Sequence, residues 1–291
     1  MRLSNALDLF FNDLIVRGMQ KDTIRAYKTQ IMPFIKFTNN ICIDNINYDT
    51  YCDYIRFLRN KNLSMTTIHT YANSLKVFFR FLYKNSYMKV NLADIIVLPR
   101  AYKTEPNILN PDIILKIINE YDLTDMIACR NILILILAFD CGLRRSEICR
   151  LKIEDFMFDS NVFKVSGKGN KNRIVPISET LAFYLEKYLS FRENTNGPLL
   201  LTKDEKELTS YALSSLFRRI KKKYKLSKFN PHLLRHSYAT LFLLNGGDSL
   251  ALQRLLGHTT LTMTNKYVHL AQSLKIAEQK KYSPLTKNGL H

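Results

Sequence analysis

Apolar residues recur every three or four positions through the first hundred residues. They predict four successive amphipathic helices, at Asn5 to Arg17, Lys21 to Asn39, Tyr48 to Lys61 and Ser64 to Asn85. Together these predict a small helical bundle. Ser64 stands where its hydroxyl can accept an orphan amide hydrogen bond from the first turn of the last helix. The pattern then lapses: from Leu98 to Pro106 there are two prolines and mixed charges without periodicity, as in an interdomain linker. The boundary is placed near Lys103, which divides the chain into 1–103 and 104–291.

Further on, helices are predicted at Pro111 to Asn119 and Asp125 to Asp140, the second stopped before Gly142. From Phe156 to Ile177 the period shifts to short β-favouring runs, Phe156 to Phe158, Val162 to Val165 and Arg173 to Ile177. Asp, Ser, Asn and Gly separate them, so a small antiparallel sheet is expected. The helical pattern returns from Glu179 to the end. The fold class is therefore mainly α: an N-terminal helical bundle followed by a mostly helical domain with a small antiparallel β-sheet.

Composition narrows the partners. The 43 Lys and Arg against 25 acidic residues leave a formal charge of +18, which a folded chain keeps most readily beside a polyanion. Nucleic acid leads over an anionic membrane surface or solubility alone. The longest apolar run, Ile132 to Phe139, falls far short of the ~20 residues needed to cross a bilayer. Asp8 and Asp13 interrupt the apolar N-terminus and argue for an amphipathic helix over a signal peptide. Five scattered cysteines without C-x-x-C spacing suggest neither a disulfide framework nor a zinc site, and a reducing cytoplasm fits them best.

Several short stretches carry candidate chemistry. Asn230 before Pro231 is a strong helix start, and it sets His232 and Arg235 on one face of the first turn. The free amides there already attract anions, so an imidazole and a guanidinium make a phosphate site; the alternative is a capped surface helix with incidental His and Arg. His232 and His236 have the spacing of a helical zinc pair, but Leu233 stands where the motif needs Glu, which argues against a metal. Arg144 follows a buried helix and Gly142, a rigid support for a phosphate clamp, although Arg145 competes for the role. From Val165 to Ile177 a hairpin is expected whose tip carries Lys168, Lys171 and Arg173. Gly167 and Gly169 let its backbone approach another surface, as a basic finger on DNA would. Gly257 can end a helix and leave His258 in a turn, with Tyr267 about two turns into the next helix. A tyrosine is ordinarily protonated at neutral pH and needs activation to act as a nucleophile.

The motifs G-L-R-R-S-E, G-K-G-N-K, H-L-L-R-H and L-L-G-H, followed by Tyr267, occur in that order, and the chain resembles the tyrosine recombinase (phage integrase) family in its two-domain, Xer-like or transposon-resolvase-like form. The agreement is dense from about Phe139 to Leu270 and looser over the bundle, which is similar to the family's SAM-like core-binding domain. The resemblance implies that Tyr267 attacks a scissile phosphate and forms a 3′-phosphotyrosine link, with no metal or other cofactor required. Arg144 and Arg235 would stabilise charge on the nonbridging oxygens, His232 would accept the tyrosine proton, Lys168 would protonate the leaving 5′-oxygen and His258 would hydrogen-bond the phosphate. Glu147 would support the site. Lys171, Arg173, Arg218 and Arg219 are candidate DNA contacts, the last two on a basic helix from Leu213 to Lys225 whose charges could equally be a solvated face.

It further implies a clamp of two domains on double-stranded DNA at specific core sites, and a homo-oligomer, a tetramer at synapsis, coupled through a helix after Tyr267. A second recombinase or accessory protein is a possible addition, and no membrane is involved. The length, without a further N-terminal arm-binding domain, leans towards recombination at short core sites: integration, excision or resolution. Two rivals are a type IB topoisomerase-like relaxing activity and a DNA-binding regulator that has kept the fold without catalysis.

Overall fold

In a computed structural model the described residues are 1–100, 108–167, 172–194, 196–258 and 260–281, with side chains of the last helix described as far as 274. The chain divides into two compact units, Met1–Glu105 and Pro106–His291.

The first unit is built from α1 (Leu3–Val16), α2 (Lys21–Phe37), α3 (Tyr48–Asn60), α4 (Met65–Lys84) and the single turn α5 (Leu92–Ile95). Each long helix turns its apolar stripe inward. Helix α4 touches the other four, and its buried Ile68, Ala72, Leu75, Phe78, Phe79 and Leu82 follow the predicted period. Aromatic rings fill the centre: Phe34 meets Tyr54 at 5.1 Å and Phe79 at 5.8 Å, both edge-on, and Phe10 meets Phe78 at 5.5 Å. Burying each such ring contributes roughly 1.5–3 kcal/mol. Ser64 caps α4 by accepting from the Thr67 amide at 3.2 Å, and Asn47 caps α3 from Thr50 at 2.9 Å.

The second unit opens with α6 (Pro111–Asn119) and α7 (Met126–Phe139). Helix α7 is buried on every side from Ala128 to Ala138, as a helix apolar all round must be. It packs against α8 (Arg145–Arg150), α9 (Glu179–Leu189) and α11 (Pro231–Leu244). Its buried Arg130 is accommodated because the guanidinium donates to the Leu201 carbonyl at 2.6 Å and to Asn131 at 2.8 Å.

Strands β1 (Phe156–Met157), β2 (Val162–Ser166) and β3 (Asn172–Pro176) form one antiparallel sheet in sequence order. Val165 pairs with Arg173 and Ser166 with Asn172 across the hairpin. Helix α10 (Ser210–Lys223) packs on α8, and α12 (Ser249–Leu256) and α13 (Thr262–Lys281) complete the unit beside α11. The α11–α13 group has its own small core of Ala239, Leu243, Leu252, Leu256, Tyr267 and Ala271.

Candidate active site

Four local features bring the site residues together. Gly142 turns the chain sharply after α7, at φ +63°, and a Cβ there would meet the Tyr238 ring at 2.4 Å, so no other residue fits the turn. Arg144 then precedes α8, and Glu147, in the first turn, accepts from the Arg144 amide and guanidinium at 2.8 Å each. Asn230 accepts from the Leu233 amide at 2.9 Å, starting α11 with His232 and Arg235 in its opening turns. Gly257 ends α12 in the left-handed region at φ +62° and delivers His258.

Arg235, 4 % exposed, is pinned by three acceptors: the Gly142 carbonyl at 2.6 Å, the Leu256 carbonyl at 2.9 Å and His258 Nε2 at 3.2 Å. Arg144 Nη1 reaches the same Leu256 carbonyl at 3.3 Å. The two guanidiniums thus converge on the C-terminal end of α12, whose unpaired carbonyls and dipole favour cations. Burial, followed by the neighbouring Arg144, lowers Arg235 to about 10, which leaves it charged at neutral pH. Arg144 keeps 36 % of its side chain exposed and can meet a ligand from solvent.

Because a guanidinium can only donate, His258 Nε2 accepts from Arg235, and Nδ1 carries the proton shared with Thr264 Oγ1 at 2.8 Å. His258 is accordingly neutral: burial, then Arg235, Arg144, Lys266 and Arg173, lower it to about 4. Its ring stacks at 10° on Tyr267, with centroids 6.1 Å apart, and His236 lies on Tyr267 at 5.1 Å. Lys266 Nζ stands 4.6 Å above the Tyr267 ring, and only 1 % of Tyr267 is exposed. His232 lies at the exposed rim, and desolvation, followed by Lys266, Arg235, Lys228 and Arg144, lowers its pKa as well.

Arg144, Glu147, His232, Arg235, His258 and Tyr267 therefore lie in one neighbourhood of the second unit. Lys168 and Lys171 lie outside the described residues. Arg218 and Arg219 are exposed on α10, Arg218 with its guanidinium 5.5 Å from the Tyr211 ring. Arg173 departs from expectation. It is not an outward hairpin contact: strand alternation turns its side chain inward, and the guanidinium is taken up by Glu147 and the Leu255 carbonyl. Three further residues escaped the sequence reading as parts of the site. Thr264 is buried against His258, Arg173 closes on Glu147, and His236, set aside as a metal ligand, places a buried Nε2 beside Tyr267 with no hydrogen-bond partner among the described residues. The two-residue step along β3 was the available signal for Arg173; nothing local pointed to Thr264. Among the described residues no three His, Cys, Asp or Glu side chains converge as a metal centre requires.

Comparison with known proteins places this geometry. The model of the phage integrase family matches residues 107–273, and that of the phage integrase N-terminal SAM-like domain matches residues 7–86. The chain belongs to the phage integrase family. Among curated relatives this integrase-family chain is similar to tyrosine recombinase XerC of Thermodesulfovibrio yellowstonii, 31 % identical over 96 % of each chain. It is also similar to tyrosine recombinase XerA of Pyrococcus horikoshii, 32 % identical over 94 % of each. Among solved structures, a lambda integrase dimer bound to a COC′ core site superposes with a TM-score of 0.76 at 20 % identity, over 90 % of this chain and 97 % of that one. A XerA recombinase crystal structure superposes at 0.53 and 26 % identity, over 97 % and 99 %. The integrase fold is thus shared over both units.

Proposed function

We propose that this phage integrase family member is a site-specific DNA recombinase that cleaves and rejoins strands through a 3′-phosphotyrosine at Tyr267. One observation carries the assignment of the site: Arg144 and Arg235 converge on a single carbonyl beside His258, whose ring stacks on Tyr267. A phosphate entering there would take the place of carbonyl acceptors for two permanently charged donors, which stabilise the oxygens as charge builds in the transition state. The Tyr267 oxygen forms a bond to phosphorus while the bond from phosphorus to the 5′-oxygen breaks. The phosphodiester's energy stays in the covalent link, and the reaction runs backwards when a 5′-hydroxyl attacks.

The phenol must lose its proton on attack. His232 and His236 are the two imidazoles of α11 proposed for this task; His236 lies on the Tyr267 ring, and the lowered pKa of each favours the neutral, accepting form. Thr264 supplies a switch for His258. If its hydroxyl donates to Nδ1 instead of accepting, the imidazole proton sits on Nε2 and can donate a hydrogen bond to a phosphate oxygen once Arg235 has turned to it. Lys168 is the donor proposed for the leaving oxygen. Glu147 holds Arg144 without meeting the phosphate.

The residues 1–103 and 104–291 would serve as core-DNA-binding and catalytic domains. The exposed Arg218 and Arg219 would follow the backbone of double-stranded DNA at a specific core site. A tetramer coupled through α13 is the assembly expected at synapsis, with room for a second recombinase or an accessory protein, and the free cysteines suit a cytoplasmic setting.

The test is adduct formation on nicked duplexes selected from a random or element-derived library, without metal, followed by denaturing electrophoresis and peptide mass spectrometry. The wild type is expected to form an adduct on Tyr267, and Tyr267→Phe none. Binding without an adduct from either would favour the regulator reading.

A further inference from the structure

Arg173 makes three hydrogen bonds and all of them point inward. Nε donates to the Leu255 carbonyl at 2.6 Å, and Nη1 and Nη2 meet the two oxygens of Glu147 at 2.9 and 2.8 Å. Only 8 % of its side chain and 1 % of that of Glu147 are exposed. Glu147 also takes two donors from Arg144, and the next carbonyl of α12, at Leu256, takes both Arg144 and Arg235. One carboxylate and one helix end are therefore the shared acceptors for three guanidiniums. The chain is shaped around this arrangement: a Cβ on Gly257 would come within 3.1 Å of Arg173 Cδ, so the turn leading to His258 lies against the Arg173 stem.

A bidentate ion pair with one arginine limits how strongly a carboxylate can hold another. With Arg173 present, Glu147 divides its lone pairs between two guanidiniums. Without it, the carboxylate would close on Arg144 alone, the clamp that must turn to a phosphate, and the Leu255 carbonyl would lose its partner beside the His258 turn.

We infer that Arg173 is a positioning residue for strand cleavage: it never touches DNA at the scissile phosphate, but through Glu147 and the end of α12 it sets where Arg144 and the His258 turn stand. This rests on the reading of Tyr267 as nucleophile. The experiment measures single-turnover adduct formation by the full chain with Arg173→Met and Arg173→Lys, on two nicked duplexes. One carries the natural scissile phosphate and the other a methylphosphonate, which lacks one charged nonbridging oxygen and so depends less on an arginine clamp.

On phosphate, Arg173→Met is expected to be slower than wild type by about 10²-fold, the scale of losing one oriented donor, with DNA affinity nearly unchanged. On methylphosphonate the ratio to wild type should shrink by roughly tenfold. Arg173→Lys, which keeps the stem and one donor, guards against a misfolded Met variant and should fall between. An equal loss on both duplexes would reduce Arg173 to a structural role and overturn the inference, as would no loss at all. An adduct absent from the wild type would overturn both readings, since nothing would remain to position.

Discussion

The two units of this chain are held together by different physics. Unit Met1–Glu105 has an aromatic and aliphatic centre in which, tyrosine hydroxyls aside, the buried polar side chains are only Thr38 and Ser74 among the described residues. Unit Pro106–His291 buries Arg130, Asn131, Glu147, Arg235, Ser237, Thr240 and Thr264 in the same sense. An apolar core tolerates change in proportion to the area lost. A buried ionic network does not, because removing one member leaves its partners charged and desolvated. The second unit accepts that sensitivity because, on the proposed function, the groups that would bind a phosphate must be charged, oriented and shielded before it arrives.

The largest effect that would sharpen this contrast is at Glu147. Its replacement, Glu147→Ala, leaves Arg173 and Arg144 without their shared carboxylate and removes the 3.9 Å ion pair with Arg235, and is expected to destabilise the second unit by roughly 3–5 kcal/mol, besides abolishing cleavage. Calorimetry should show one transition moving and the other staying; a joint shift of both would break the comparison.

Acid should separate the units next. Burial first, then Lys266, His232 and Lys228, lower His236 to about 4, and His258 lies at about 4 as well. Both bind protons more readily when unfolded, so their contribution is complete above about pH 6.5 and is lost as the pH falls towards 4. Burial pushes the Glu147 carboxyl up, but Arg173 and Arg144 outweigh it and bring it to about 2, so its contribution persists above about pH 4.5 and disappears only on the way to 2. The melting temperature of the second unit is therefore expected to drop between pH 7 and 4.5 more than that of the first. Identical pH dependence for the two transitions would contradict the histidine assignment.

The smallest effect has the opposite sign. The buried Tyr54 hydroxyl, between Phe34 and Phe37, has no hydrogen-bond partner among the described residues. Tyr54→Phe removes a polar atom that is desolvated without return and should stabilise the first unit by about 1 kcal/mol. A loss of stability in chemical denaturation would show that the hydroxyl is paired after all.

Much of this molecule could be read along the chain. The three- and four-residue period located α1 to α4 within a few residues, and Ser64 and Asn230 cap the helices they precede, because these are contacts between residues at most four apart. The order of Arg144, His232, Arg235, His258 and Tyr267 pointed to one chemistry and one family before any geometry was known. Arg173 shows where that reading stopped. A basic residue beside a glycine-rich hairpin tip looks outward in one dimension, and only the strand's alternation against α8 and α12 turns it in.

What the sequence by itself determined is the set of elements, their caps and turns, and the kinds of side chain available for chemistry, since all of these depend on neighbours along the chain. What only the tertiary structure decided is which of those side chains share an acceptor. Arg173 meets Glu147 across 26 positions and Leu255 across 82, and Arg144 meets Leu256 across 112. Local periodicity carries no information over such distances; packing does, because a buried carboxylate and the free end of α12 must find donors wherever the fold brings them.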